Sequence, residues 1–295
     1  MIILFILFIV ITQFNFSCSL HHYKIGRRLY NKRICNTNKK LITISPCGLH
    51  GYYLLGISSY IIDNYNLNNY IFSGTSAGAW ISLIFSYKGN HQYLINDILS
   101  IESNNITNIK VLGHHLKSLF LTKYKTEDFY LNKIFISVTE INTEKFIIDT
   151  KLVIHNDFKT LEDAVDCCIA SSHIPLVTGN LYRKYKNKNT IDGGFSNNPY
   201  LNTTESSLHI YPFTFKTPPP TMYEYECNQL KLFVELFMLT KLNFNLLYNE
   251  GYNDASQNKQ MLDKIFIRWA VPKTAHRIKE GGFWTHPSFT RHSSA

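Results

Sequence analysis

The sequence predicts an α/β fold, and three observations predict it. Leu41-Ile42-Thr43-Ile44-Ser45 is a short β-like run that leads through the loop Pro46 to Gly51 into Tyr53, Leu54, Ile57, Tyr60 and Ile61, which recur at helical spacing. Tyr70-Ile71-Phe72 repeats that plan, an apolar strand running through the tight turn Gly74-Thr75-Ser76-Ala77-Gly78 into a helix. Later, Phe135 to Ile141 alternates with period two, Leu161 to Ala170 reads as a helix, and Asn189-Thr190-Ile191-Asp192 is β-like again.

The second unit is the most informative. Its Gly-x-Ser-x-Gly turn is the pattern of a nucleophile elbow. A serine hydroxyl is a poor nucleophile, so it needs a base and an exposed position. Gly74 and Gly78 leave room where a β-carbon would meet the neighbouring strand and helix. The helix start beside Ser76 favours negative charge nearby. By itself the pattern also fits a glycine-lined helix start with a capping Ser or Thr.

The first unit has a loop, Pro46-Cys47-Gly48-Leu49-His50-Gly51, that aims backbone N–H groups at an anion. It carries neither Gly-Lys-Ser/Thr nor a full Gly-x-Gly-x-x-Gly, which argues against a nucleotide. In an acyl-transfer enzyme such a loop serves as an oxyanion hole. The plain alternative is an ordinary βα connection.

The remaining elements follow in chain order. His91 to Ser100 and Leu112 to Phe120 read as helices, with His114 and His115 expected to be exposed rather than ligands. Lys145 to Thr150 and Lys151 to Ile154 continue in β fashion. Pro175, after Ser171-Ser172-His173-Ile174, forbids further helix. Asp192-Gly193-Gly194 places a carboxylate at a strand end, as a cleft acid or as a common Asp-Gly turn. Leu208 to Phe213 is the expected last core strand, and the Pro-rich stretch Thr217 to Thr221 a connector. Leu230 to Tyr252 reads as one apolar helix, Leu246 included, with core packing preferred to a lipid surface.

Length and composition bound the rest. A chain of 295 residues that is 45% hydrophobic suffices for one large domain or two small ones. The net charge is +9, but no Asp or Glu precedes Asp63, and seven Lys/Arg up to Lys40 carry most of the excess. Basicity therefore belongs to a leader, and nucleic acid is not an expected partner. The run Met1 to Thr12 is short for a membrane span and fits a signal-peptide core, with Ser17-Cys18-Ser19 as a cleavage region. Leu20 to Lys40 is basic and acid-free, as transit peptides are. The secretory pathway or a membrane surface is the expected location, and a plastid reached by a bipartite leader the alternative. The six cysteines form no Cys-x-x-Cys pair and no metal-like spacing with His, so neither a metal site nor a disulfide framework is expected, and Cys167-Cys168 reads as core.

A Gly loop after a first strand, then G-T-S-A-G, then D-G-G resembles the patatin-like phospholipase family over roughly Leu41 to Leu262. The runs C-G-L-H-G-Y-Y-L-L-G, S-S-H-I-P before D-G-G-F-S-N-N-P, Y-P-F, and N-E-G-Y-N-D-A at Asn249 to Ala255 add to it, most like its animal adipose triglyceride lipase and adiponutrin branch. The resemblance implies a three-layer α/β/α sandwich around a mostly parallel sheet. It implies a lipid acyl hydrolase with Ser76 as nucleophile and Asp192 as base, without metal or cofactor. Cys47, Gly48 and Leu49 are the implied oxyanion donors, with Gly51, Gly74, Gly78, Gly193 and Gly194 supporting the motifs. Pro46 departs from the family loop, since it stands where the first Gly is usual and has no N–H.

The expected partner is a lipid substrate at a membrane or lipid-droplet surface, with no required protein partner. Two alternatives stay open. One is a weakly active lipid-binding or regulatory protein, which Pro46 favours. The other is a Ser-Asp-His triad using His209, His276 or His286. The expected organisation is a leader over 1–40, a catalytic core over 41–215 and a helical extension over 216–295 packed on the core.

Overall fold

The computed structural model describes residues 39–101, 109–142, 149–196, 200–201, 206–212, 214–215 and 243–269. They form a mixed α/β fold whose central, mostly parallel sheet is flanked by helices, as the sequence predicts. Residues 1–38 of the expected leader, the Pro-rich connector, residues 230–242 of the expected long helix and the tail beyond 269 lie outside the described residues, whereas Lys40, the last residue of the expected leader, opens the first strand.

Strand β1 (Lys40–Ile44) leads into helix α1 (Gly51–Asn64), and β2 (Tyr70–Thr75) into α2 (Ala77–Phe85). Helices α3 (His91–Ser100) and α4 (Ile109–Lys123) precede the hairpin of β3 (Ile134–Asn142) and β4 (Asp149–His155). Helix α5 (Leu161–Ser171), the short pair β5 (Arg183–Tyr185) and β6 (Lys188–Asp192), and β7 (Ser206–Ile210) follow. Helices α6 (Phe244–Gln257) and α7 (Lys259–Ile265) close the described chain. The strand order is β5-β6-β3-β2-β1-β7, with β4 paired to β3.

Strands β7, β1, β2 and the first half of β3 run parallel. Both faces of these strands are buried, which is why they read as near-continuous apolar runs. Alternate residues divide between two cores. Ile42, Ile44, Phe72, Ile134 and Ile136 pack with the helices in the larger one, while Leu41, Ile71, Phe135 and Leu201 form a smaller cluster.

Strand β3 organises the site. Its one edge pairs with β4 from Ile136 to Asn142. Its other edge takes two strands in succession. Parallel β2 pairs as far as Thr75↔Ser137, and antiparallel β6 takes over at Val138↔Asp192. β2 and β6 therefore point at one another, and their C-terminal ends meet at consecutive positions of β3.

Two readings change at their ends. The last core strand stops at Ile210, because Tyr211 and Pro212 turn away and Pro212 has no N–H for a ladder. Helix α6 starts at Phe244, where the Asn243 side chain accepts from Leu246 N–H and caps it. Leu246, expected in the core, is 65% exposed; Phe244, Gly251 and Ala255 are the buried positions of α6. The short β5 went unread because three residues carry too little periodicity.

Helix α6 crosses α1 closely. A β-carbon on Gly56 would lie 2.0 Å from the Tyr248 carbonyl oxygen, and one on Gly251 2.0 Å from that of Tyr53. Beside the crossing, the Tyr53 hydroxyl donates to Asp254 Oδ2 at 2.6 Å, and Tyr52 stacks on Phe244 at 4.1 Å. The N-E-G-Y-N-D-A run is thus a helix-packing motif, in which Gly251 allows the approach and Asp254 holds it.

Candidate active site

Ser76 is the junction of β2 and α2, and it has φ 55° and ψ −123°. A positive φ at a non-glycine residue is strained, so the surroundings must hold it there. They do so by close contact. A β-carbon on Gly74 would fall 2.0 Å from the Gly78 carbonyl oxygen, and one on Gly78 2.3 Å from that of Ile44. The Ser76 N–H donates to Ser171 Oγ at 2.8 Å, and that hydroxyl donates to the Ser137 carbonyl at 2.7 Å. The elbow is thereby tied to α5 and to β3.

Asp192 arrives from the opposite direction on β6 and is 4% exposed. Its N–H donates to the His173 carbonyl at 2.8 Å, and its Oδ1 accepts from Gly194 N–H at 2.7 Å. A β-carbon on Gly193 would meet the Ser137 carbonyl oxygen at 2.3 Å and Thr75 Cγ2 at 2.8 Å, so the D-G-G turn lies directly against the end of β2. Burial pushes the Asp192 carboxyl up to about 7, while the facing Ser76 hydroxyl and the Gly194 N–H act the other way by favouring the ionised form.

The loop after β1 contributes two amides at a helix start. Gly48 has φ 54° and opens a 3-10 turn through His50 that continues into α1. The first bonds of that turn come from His50 and Gly51 N–H, so the Gly48 and Leu49 N–H groups precede them. A β-carbon on Gly51 would lie 2.9 Å from Ala77 Cβ, so the starts of α1 and α2 are in contact beside Ser76. Two positive helix ends converge there. Pro46 packs instead against the acid motif, its Cβ 3.2 Å from a β-carbon placed on Gly194.

Gly48, Leu49, Ser76 and Ala77 open onto a cavity of about 130 Å³. Leu55, Trp80, Ile81, Leu112, Leu116 and Phe120 give it an apolar wall; Lys110, His114, His173 and Arg183 also line it, and among the described residues no carboxylate does. His114 and His115 are exposed on α4.

The histidines of a triad are not assembled among the described residues. His209 lies on β7 with Nδ1 2.7 Å from Thr43 Oγ1, and it does not line the cavity. His276 and His286 lie outside the described residues. His173 lines the cavity, but its Nε2 is 3.0 Å from the Asn180 carbonyl and its Nδ1 3.2 Å from Thr178 Oγ1. A carbonyl only accepts, so Nε2 carries a proton, and burial shifts the ring's pKa downward. Cys47, Cys167 and Cys168 are buried, and no disulfide joins them among the described residues.

Ser171 and His173 are site residues the sequence reading missed as such. Their S-S-H-I-P run stands out as a motif, but one residue acts through a hydroxyl to a distant amide and the other through its carbonyl. Ser171→Ala leaves the Ser76 N–H buried without its acceptor. It is expected to lower kcat by on the order of tenfold with KM little changed, and to slow covalent labelling of Ser76. A variant that melts earlier but turns over normally when folded would reduce Ser171 to a packing residue.

A family model for patatin-like phospholipase matches residues 42–203, from the second residue of β1 to just beyond the Asp192 turn. A comparison with curated proteins found no match.

Proposed function

As the chain belongs to the patatin-like phospholipase family, we propose that it is a lipid acyl hydrolase working through a Ser76–Asp192 dyad, and that it sits in the animal adipose triglyceride lipase and adiponutrin-like branch. The observation that carries this reading is the meeting of β2 and β6 on one edge of β3, which brings an elbow serine and a buried carboxylate together beside an apolar cavity.

The chemistry follows from the roles. Asp192 takes the Ser76 proton as the hydroxyl oxygen attacks the ester carbonyl. Negative charge develops on the carbonyl oxygen, and the N–H groups of Gly48 and Leu49 receive it, with the two helix starts behind them. The tetrahedral adduct collapses, the C–O bond to the alcohol breaks, and Asp192 returns the proton to the leaving oxygen. Water then attacks the acyl-Ser76 ester with Asp192 again as base, which releases the fatty acid and restores the hydroxyl. The apolar wall accommodates the acyl chain. The substrate is a lipid at a membrane or droplet surface. Pro46, without an N–H, supports a second reading, a lipid-binding protein of low turnover.

One experiment separates the two. Purified full-length protein is treated with a fluorophosphonate probe, then offered mixed phospholipids and acylglycerols. Labelling confined to Ser76, absent in Ser76→Ala, together with fatty-acid release that the probe blocks, is the expected outcome. Labelling that survives Ser76→Ala removes the assignment, and absence of any release leaves the binder.

Among the described residues no helix is long and apolar enough to cross a membrane. Membrane association and the leader's secretory role remain part of the proposal and rest on the Met1 to Thr12 run. A reporter fused to residues 1–40 tests that role.

A further inference from the structure

The segment between Asp166 and Asp192 contains no Asp or Glu, and it carries Arg183, Lys184, Lys186 and Lys188. The chain-wide charge count, dominated by the leader, hides this local excess. The segment also forms one rim of the cavity, through Ile174, Thr178 and Arg183.

The rim loop is built, not loose. The Thr178 hydroxyl contacts both the Ile174 N–H and the Ile174 carbonyl, Leu176 N–H donates to the Asn180 carbonyl, and the His173 ring holds that same carbonyl. This loop presents Leu176, Leu181 and Tyr182 at 50%, 51% and 43% exposure. Leu176 does so at φ 63°, a strained backbone for an apolar side chain that is left half exposed. The loop runs directly into β5, the outermost strand, which turns into β6 through Lys186 and Asn187, both at positive φ as a two-residue hairpin requires. Lys184 and Lys188 are exposed on this hairpin, and among the described residues no ion pair engages either. Lys186 pairs with Asp163 at 3.2 Å, and Arg183 lies 3.7 Å from Asp166, so α5 neutralises part of the charge.

We propose that the 174–188 rim docks edge-on, along the free side of β5, on a bilayer bearing anionic phospholipid, with Leu176, Leu181 and Tyr182 entering the headgroup layer and Lys184 and Lys188, which the β5–β6 register places on opposite faces of the hairpin, holding phosphates on either side of that edge. Apolar side chains flanked by cations are the combination that such an interface selects. Ile174, Thr178 and Arg183 of the same stretch line the cavity, so docking here sets its mouth towards the surface that supplies the acyl chain. The inference rests on the lipid hydrolase reading for its purpose, but its test does not depend on turnover.

Full-length Ser76→Ala protein is sedimented with phosphatidylcholine vesicles and with vesicles also containing phosphatidylglycerol. Binding is expected to favour the anionic vesicles and to fall with added salt. Lys184→Glu/Lys188→Glu should lower the partition on the order of thirtyfold, at about a factor of five per lost cation. Leu176→Ser/Leu181→Ser should lower it as well. In the active background neither pair alters turnover of a soluble short-chain ester. The N-terminal apolar run is common to every variant, so it cancels. Equal binding to neutral vesicles, or variants that bind like the parent, overturns the proposal. Loss of vesicle binding with ester turnover intact is the docking result, whereas a parent that binds vesicles but turns over no ester fails the hydrolase reading alone.

Discussion

Asp192→Asn is expected to lower ester hydrolysis by a factor on the order of a hundred or more, the usual scale for loss of a general base. The same change is expected to stabilise the fold at alkaline pH. The amide keeps the volume, and its oxygen still accepts from Gly194 N–H, but it cannot take the Ser76 proton. Burial raises the Asp192 carboxyl to about 7 from its ordinary 3.8. Only the ionised form is a base, so kcat/KM of the parent should climb through an apparent value near 7 and level above it. Stability runs the other way. A carboxyl whose folded value is raised favours the folded state below its unfolded value, and that advantage is lost as pH rises through the folded value. Between about 4 and 7 the parent therefore loses up to about 4 kcal/mol, at 1.36 kcal/mol per unit. The Asn variant has no charge to bury and escapes the loss. Its melting temperature should exceed the parent's at pH 8, with the gap closing towards pH 4. A well-folded variant with near-normal turnover would exclude the dyad. An equal gap at both pH values would exclude burial of the charge as the cause.

Gly251→Ala is expected to destabilise the protein by about 3 kcal/mol or more and to depress activity without touching the cavity. The added carbon would stand 2.0 Å from the Tyr53 carbonyl oxygen. Backbone cannot swing aside as a side chain does, so α6 and α1 must separate, which is overpacking at its costly end. Separation also strains the Tyr53–Asp254 hydrogen bond and the Tyr52–Phe244 stack. Helix α1 begins at Gly51, against Ala77, so a displaced α1 takes the Gly48 and Leu49 amides with it. Denaturant unfolding and kcat measured on the same samples check both effects. Gly113→Ala is the control for the unfolding measurement, since nothing lies within 4 Å of a β-carbon there. A Gly251→Ala protein as stable as that control would show that the crossing is not tight.

The local alphabet was legible in the sequence. Periodicity gave the main strands and helices, because one buried face writes itself at period 2 or 3.6. The elbow and the D-G-G turn were readable because close backbone approach admits little but glycine: Gly74 faces a carbonyl of the next turn, and Gly193 faces Ser137. What the tertiary structure decided lies in pairings between distant residues. That β2 and β6 share one edge of β3, and so bring Ser76 to Asp192, is a matter of register across the sheet. The raised carboxyl of Asp192 depends on how completely other segments bury it. Ser171 and His173 act through one hydroxyl and one carbonyl towards partners from other elements. The rim from Leu176 to Lys188 carries its charges openly in the sequence, but only the packing of α5 and the edge position of β5 decide which stay free. Composition and spacing record short-range steric demands, whereas burial, register and charge pairing are set by contacts that no window of sequence contains.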